Sequence, residues 1–125
     1  MRQLAGPGNS TTKASPFPGH LRLPEGKQIS LCVVDGPEQG RTYVCRSPRV
    51  VLGRRNVDFV LNDPQVSQLH CVVEISEDRI LLRDLDSTNG TFVDNERIKQ
   101  RELIHLSEFR LGSSTVALLI TRLEE

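Results

Sequence analysis

Leu82-Arg83-Asp84-Leu85-Asp86-Ser87-Thr88-Asn89-Gly90-Thr91-Phe92-Val93 is the stretch whose reading decides the fold. Its opening belongs to Ile80–Leu85, a short run rich in branched apolar residues that reads as a strand. Asp86–Gly90 is a cluster of small polar turn formers ending in Asn-Gly, a pair that favours turns with φ > 0. Thr91-Phe92-Val93 then returns to extended, β-branched and aromatic text. The local grammar is strand, polar loop, strand.

The same grammar extends in both directions. Upstream, Ile29–Asp35, Arg41–Cys45, Arg49–Leu52, Phe59-Val60-Leu61 and Leu69–Ile75 are apolar runs separated by Gly, Pro, Asn, Asp and Ser. Downstream come Arg97-Ile98, Glu102–Leu106, Phe109–Leu111 and Thr115–Leu123. Glu77-Asp78, Asp94-Asn95-Glu96 and Gly112-Ser113 are predicted hairpin turns between them. No segment carries a sustained helical period with caps. About ten to eleven short strands at close spacing predict an all-β, two-sheet sandwich or a barrel. Residues 1–28 differ in kind. Their Gly, Pro, Ser and Thr offer too little apolar surface to offset the entropy of ordering, so they are expected to be a disordered N-terminal tail or linker ahead of one domain at 29–125.

Composition narrows the function classes. A chain of 125 residues has room for one ordinary domain core. Sixteen basic and sixteen acidic residues cancel, so there is no long-range pull toward nucleic acid or an anionic membrane. Residues 1–28 hold four cations against Glu25 alone, a net +3, which leaves −3 on the remainder. An anion site on the body must therefore rely on local donors. Aromatics are 4%, with no Trp, which argues against a stacking platform for single strands. Cys32, Cys45 and Cys71 lie in apolar runs without CxxC spacing and read as reduced core thiols. No apolar run is long enough for a membrane span and no secretory h-region is present, so a cytoplasmic protein is expected.

Three motifs flank the predicted loops. In Gly53-Arg54, the glycine permits a turn or a close backbone approach, and the guanidinium can fork onto two oxygens of a phosphate or carboxylate. Taken alone, it is equally a surface arginine after a bulge glycine. In Ser67-Gln68-Leu69-His70, a loop serine can offer its hydroxyl and N–H to an anion, or simply cap a turn. Ser67 and His70 invite a nucleophile–base reading, but residues three apart on an extended strand face opposite ways. No G-x-S-x-G elbow or third orienting group accompanies them. In Thr88-Asn89-Gly90, the threonine hydroxyl can donate to a phosphate and the carboxamide can pair with a peptide backbone in both directions. No catalytic residue, metal-ligand set or cofactor is expected from this inventory.

In this order and spacing, Val51-Leu52-Gly53-Arg54, Val60-Leu61-Asn62-Asp63-Pro64-Gln65-Val66-Ser67 and the opening stretch together resemble the core of the forkhead-associated (FHA) domain family, over roughly residues 29–123. The resemblance implies a two-sheet β-sandwich that binds phosphothreonine peptides through loops at one end. It implies that Arg54 and Ser67 contact the phosphate, that Thr88 assists beside the phosphothreonine methyl, and that Asn89 holds the peptide backbone just after it. Gly53, His70 and Gly90 become architectural, with His70 bracing the loops.

This chain departs from the family at two positions. Gln68 stands where many members place a second basic or amide group, so a neutral amide does that work. Gln65 lies in the loop that often reads the third residue after the phosphothreonine and is uncharged, which argues against a strict acidic preference there. Arg55 is a nearby compensating cation. The implied partners are phosphothreonine-containing proteins, either Ser/Thr kinase substrates or the kinase itself, with no nucleic acid and no membrane, and the chain is expected to be a monomer. The competing expectation is an FHA fold used as a phospho-independent assembly scaffold. The expectation for the tail is an inert linker, the alternative being kinase modification of Thr11 or Thr12.

Overall fold

The computed structural model describes residues 20–77 and 79–124, and the tail threonines Thr11 and Thr12 lie outside them. Eleven strands occur in chain order: β1 (Lys27–Asp35), β2 (Thr42–Val44), β3 (Arg49–Gly53), β4 (Phe59–Val60), β5 (Cys71–Ser76), β6 (Arg79–Asp84), β7 (Thr91–Val93), β8 (Glu96–Ile98), β9 (Gln100–Leu103), β10 (Glu108–Leu111) and β11 (Ser114–Arg122). They form two sheets, ordered β2-β1-β11-β10-β7-β8 and β4-β3-β5-β6-β9. Every pair is antiparallel except β3–β4, where the loop after Gly53 returns to lay Leu52 beside Phe59 in parallel. The all-β sandwich expected from the sequence is the fold observed, and among the described residues no helix is long and apolar enough to cross a membrane.

Alternation builds the core. Ile29, Leu31 and Val33 of β1 stand opposite Ile120, Leu118 and Val116 of β11, all on the inner face. Across the sandwich, Val73 and Ile75 of β5 pair with Leu82 and Ile80 of β6. Burial of side chains of this kind contributes about 1.5–3 kcal/mol each, which makes the two sheets one cooperative unit. On the outer face of the second sheet, Glu74 is fully buried, held by Arg83 at 3.0 Å and Arg49 at 3.6 Å.

Four details differ from the sequence reading. Residues 20–28, assigned there to the tail, are in place. Arg22 exchanges backbone hydrogen bonds with Ile75 and Glu77, and Leu23 packs on the core. The run Leu69–Ile75 becomes strand only at Cys71, because Ser67–His70 is folded over the His70 ring. The run Glu102–Leu106 stops pairing at Leu103. Ser107 closes a turn on Ile104 there, and Leu106 takes φ 72°. The two-residue hairpin with both φ positive is Asp94-Asn95 (52° and 64°), whereas in Asn89-Gly90 only Gly90 has φ > 0. Asn89 is therefore not needed to make the turn.

Candidate functional site

Five connections gather at one end of the sandwich. The stretch 54–58 follows β3, 61–70 precedes β5, 85–90 joins β6 to β7, Gly112-Ser113 joins β10 to β11, and 36–41 joins β1 to β2. Specific polar contacts lock them together. The Arg54 N–H is shared between the carbonyls of Ser67 and Gln68, at 3.1 and 3.2 Å. A Cβ at Gly53 would run into the Gln68 carbonyl, so only glycine lets the two segments lie this close.

His70 is the central brace and is fully buried. Its Nδ1 accepts the Ser67 N–H at 3.0 Å. An N–H only donates, so Nδ1 carries no proton, and Nε2 donates to the Gly90 carbonyl at 2.9 Å. The ring is thus neutral and joins the 61–70 segment to the 85–90 loop. Burial lowers its pKa, partly opposed by the Gly90 carbonyl and by the charges of Asp84 and Asp63. This geometry also disposes of the nucleophile–base pair. His70 holds the backbone of Ser67, not its hydroxyl.

The Ser67 hydroxyl has another partner. Its Oγ accepts the Thr88 N–H at 2.9 Å, which leaves the hydroxyl proton free to donate outward. Asn89 Nδ2 donates to the Gln65 carbonyl at 2.9 Å, leaving its Oδ1 and one amide hydrogen for a ligand. Arg54, Gln68, Thr88 and Asn89 are exposed and Ser67 is half-buried. Among the described residues no carboxylate pairs with the guanidinium of Arg54 or of Arg55. The structure therefore brings Arg54, Ser67, Thr88 and Asn89 to one rim, through the Arg54–Ser67, Ser67–Thr88 and Asn89–Gln65 contacts, with Gln65 and Gln68 beside them. Arg55 lies next in the 54–58 connection.

Behind the rim lies a layer of inward-facing polar contacts. Asp84 accepts both the N–H and the hydroxyl of Ser87, and also the Thr91 hydroxyl at 2.7 Å. Ser87 Oγ in turn accepts the Gly90 N–H. Asp63 is buried and takes three donors, from Gln65, Ser113 and Ser114, fixing the 61–70 segment to the β10–β11 turn. Glu38 accepts the Asn62 N–H and an Arg41 guanidinium hydrogen, and these contacts hold its carboxyl below the usual range against the opposing effect of burial. Asp63 and Glu38 stand inside turn clusters, which turn chemistry alone already explains, and Asp84 reads as the polar end of a strand. Cys45 and Cys71 are buried free thiols; burial pushes Cys45 up to about 12 and Cys71 higher still, so both are inert as nucleophiles.

Comparison with known proteins agrees with this architecture. The FHA domain model matches residues 50–112. FhaA of Mycobacterium tuberculosis is 36% identical over 92 residues, covering 73% of this chain but only 17% of FhaA. The oxoglutarate dehydrogenase inhibitor of Corynebacterium glutamicum is 31% identical over 109 residues, covering 82% of this chain and 76% of the inhibitor. A structure solved in a study of phosphothreonine-dependent FHA domain interactions superposes with a TM-score of 0.68 at 34% identity, covering 74% of this chain and 95% of that one. The chain belongs to the FHA domain family.

Proposed function

We propose that this chain is a phosphothreonine-peptide-binding adaptor module in Ser/Thr kinase signalling, and not an enzyme. The observation that carries this reading is the rim itself. Backbone and side-chain contacts bring Arg54, Ser67 and Thr88 together from three connections, with the Asn89 carboxamide tied to Gln65 alongside, and among the described residues the Arg54 guanidinium has no ion-pair partner. A phosphothreonine brings about −1.5 to −2 charges at neutral pH. Hydrogen bonds to charged groups contribute about 1.5–3 kcal/mol each. Two or three such bonds, less the cost of ordering a peptide, give micromolar-scale affinity. The phosphate then acts as the switch and neighbouring residues tune it.

In this reading Arg54 and Ser67 hold the phosphate, Thr88 packs by the threonine methyl, and Asn89 pairs with the peptide backbone. Gln68 adds an uncharged donor, and Gln65 with Arg55 sets preference downstream. Partners are phosphothreonine-bearing proteins, either kinase substrates or the kinase itself, met by a monomer in the cytoplasm without nucleic acid or membrane. The relative named as an inhibitor of oxoglutarate dehydrogenase supports a regulatory rather than catalytic role. Fluorescence anisotropy against degenerate phosphothreonine, phosphoserine and unphosphorylated peptide pools tests it. Binding confined to the phosphothreonine pool and lost in Arg54→Ala is the expected result. Equal binding across the pools would establish the phospho-independent scaffold instead.

A further inference from the structure

The arginines of this domain fall into two sets. Arg22, Arg41, Arg49, Arg79, Arg83 and Arg101 each have a carboxylate within ion-pair distance. Among the described residues Arg46, Arg97, Arg110 and Arg122, like Arg54 and Arg55 on the rim, have none. Arg97 and Arg110 are also neighbours. Arg110 of β10 stands opposite Phe92 of β7, and Phe92 stands opposite Arg97 of β8, so the three form one row across the outer face of the six-stranded sheet. The Arg110 guanidinium lies over the Phe92 ring at 4.3 Å, an arrangement that fixes its position without neutralising it.

Both ends of the row reach the rim. Arg97 donates from Nη2 to the Ser87 carbonyl at 3.4 Å, and its side chain lies where a Cβ on Gly90 would be. Arg110 is two residues before Gly112, whose turn abuts the backbone of Gln65 and the side chain of Asp63. Asn89 and Gln65 thus stand at the edge of this face. The domain body carries net negative charge, yet among the described residues these two guanidiniums have no ion-pair partner, although Asp84 and Asp86 line the same cleft as Arg97. Glu108 points to the same side but sits two residues farther from the loops, and among the described residues it forms no ion pair with Arg110.

We propose that the Arg110–Phe92–Arg97 row is a second contact surface, taking an acidic stretch of the partner chain downstream of the phosphothreonine. The proposal rests on the phosphothreonine reading of the rim. It supplies the charge preference that Gln65 and Gln68 lack, moved from the residues next to the phosphate to those farther along the partner.

The test compares a short phosphothreonine peptide ending three residues after the phosphate with two longer ones, extended by Asp/Glu or by the matching Asn/Gln sequence. Affinities are measured by anisotropy on the described chain and on the double variant Arg97→Gln, Arg110→Gln. The readout is the ratio of acidic to amide extension, so any effect of the substitutions on the rim cancels. The acidic extension is expected to bind about five- to tenfold tighter at low salt, with the advantage falling below about twofold in the double variant and at high salt. Equal binding of the two extensions, or an advantage that survives the double substitution, overturns the proposal. Failure of every phosphopeptide, the short one included, overturns the reading of the rim and this surface with it.

Discussion

Replacing His70 tests the bracing of the rim most directly. The ring is fully buried and satisfies two backbone groups, the Ser67 N–H and the Gly90 carbonyl. In His70→Ala both lose their partner. Each buried unsatisfied group costs about 1–3 kcal/mol, and water entering the vacated space recovers part of that. The expected loss is about 3 kcal/mol. For a domain of this size that lowers Tm by about 10–20 °C. Two further substitutions separate the contacts. Asn places an acceptor near the Nδ1 position and keeps the Ser67 N–H bond. Gln places a donor near the Nε2 position and keeps the Gly90 bond. Each is expected to cost about 1–2 kcal/mol, between wild type and alanine. Leu69→Ala is the control, since Leu69 is 55% exposed beside the same ring.

The same variants divide stability from function. Ser67 carries its hydroxyl on the segment that His70 holds, while Gly90 follows directly on Asn89. His70→Asn should keep more phosphopeptide affinity than His70→Gln, measured by anisotropy well below either midpoint. Urea unfolding supplies the stability values. A His70→Ala loss under about 1 kcal/mol would refute the reasoning, because the two backbone bonds would then contribute nothing net.

Other outcomes follow from the same contacts. Arg54→Ala and Ser67→Ala should each weaken phosphopeptide binding by about 10–100-fold, with Ser67→Ala also losing about 1 kcal/mol of stability as Thr88 N–H is released. Gly53→Ala should lower stability by about 3 kcal/mol or more by denaturant titration, because its Cβ meets the Gln68 carbonyl. Arg83→Met should destabilise by about 2–4 kcal/mol, because the buried Glu74 carboxylate keeps only Arg49 at 3.6 Å, and adding Glu74→Leu should recover most of it in thermal melts. The pH dependence carries a definite sign. The folded pKa of His70 lies below its ordinary 6.5, so the unfolded chain binds the extra proton. Its stability contribution is complete above pH 6.5 and is lost as pH falls through the folded value, with a slope up to about 1.4 kcal/mol per pH unit that the His70 variants abolish.

Strands and loops were legible because two-residue alternation and turn chemistry are local. Ile29, Leu31 and Val33 announce their face without knowledge of β11. Asn89-Gly90 shows where the local signal misleads. The Asn-Gly pair at 89–90 is the stronger hairpin signature, yet the left-handed pair forms at 94–95. The competing force at 89–90 is tertiary: His70 takes the Gly90 carbonyl and Ser87 takes its N–H. The rim residues were found through a family pattern. Asp63 and Glu38 were not singled out as site supports, because an acidic residue in a turn cluster is already accounted for by the turn, and Asp84 was not because it reads as the polar end of a strand. Only the pairing of segments fifty residues apart, as in Asp63 with Ser113, shows what the carboxylate is for. Arg97 and Arg110 were invisible for a similar reason, since a shared face on three strands depends on register.

The buried carboxylates also explain how a polar rim can be rigid. A loop that must offer hydroxyls and amides to a ligand cannot fill its interior with apolar contacts without hiding them. Here the outward groups are held by donors and acceptors facing inward: Ser67 through Thr88 N–H, Asn89 through the Gln65 carbonyl, and Gln65 through Asp63. The Ser67 and Asn89 side chains each give one hydrogen-bonding function to the scaffold and keep another facing outward. Much of the ordering entropy of the rim is thereby met when the domain folds rather than when the ligand arrives. A small set of contacts to one phosphate is then enough for a measurable difference between the modified and unmodified partner, which is the requirement of a reversible switch.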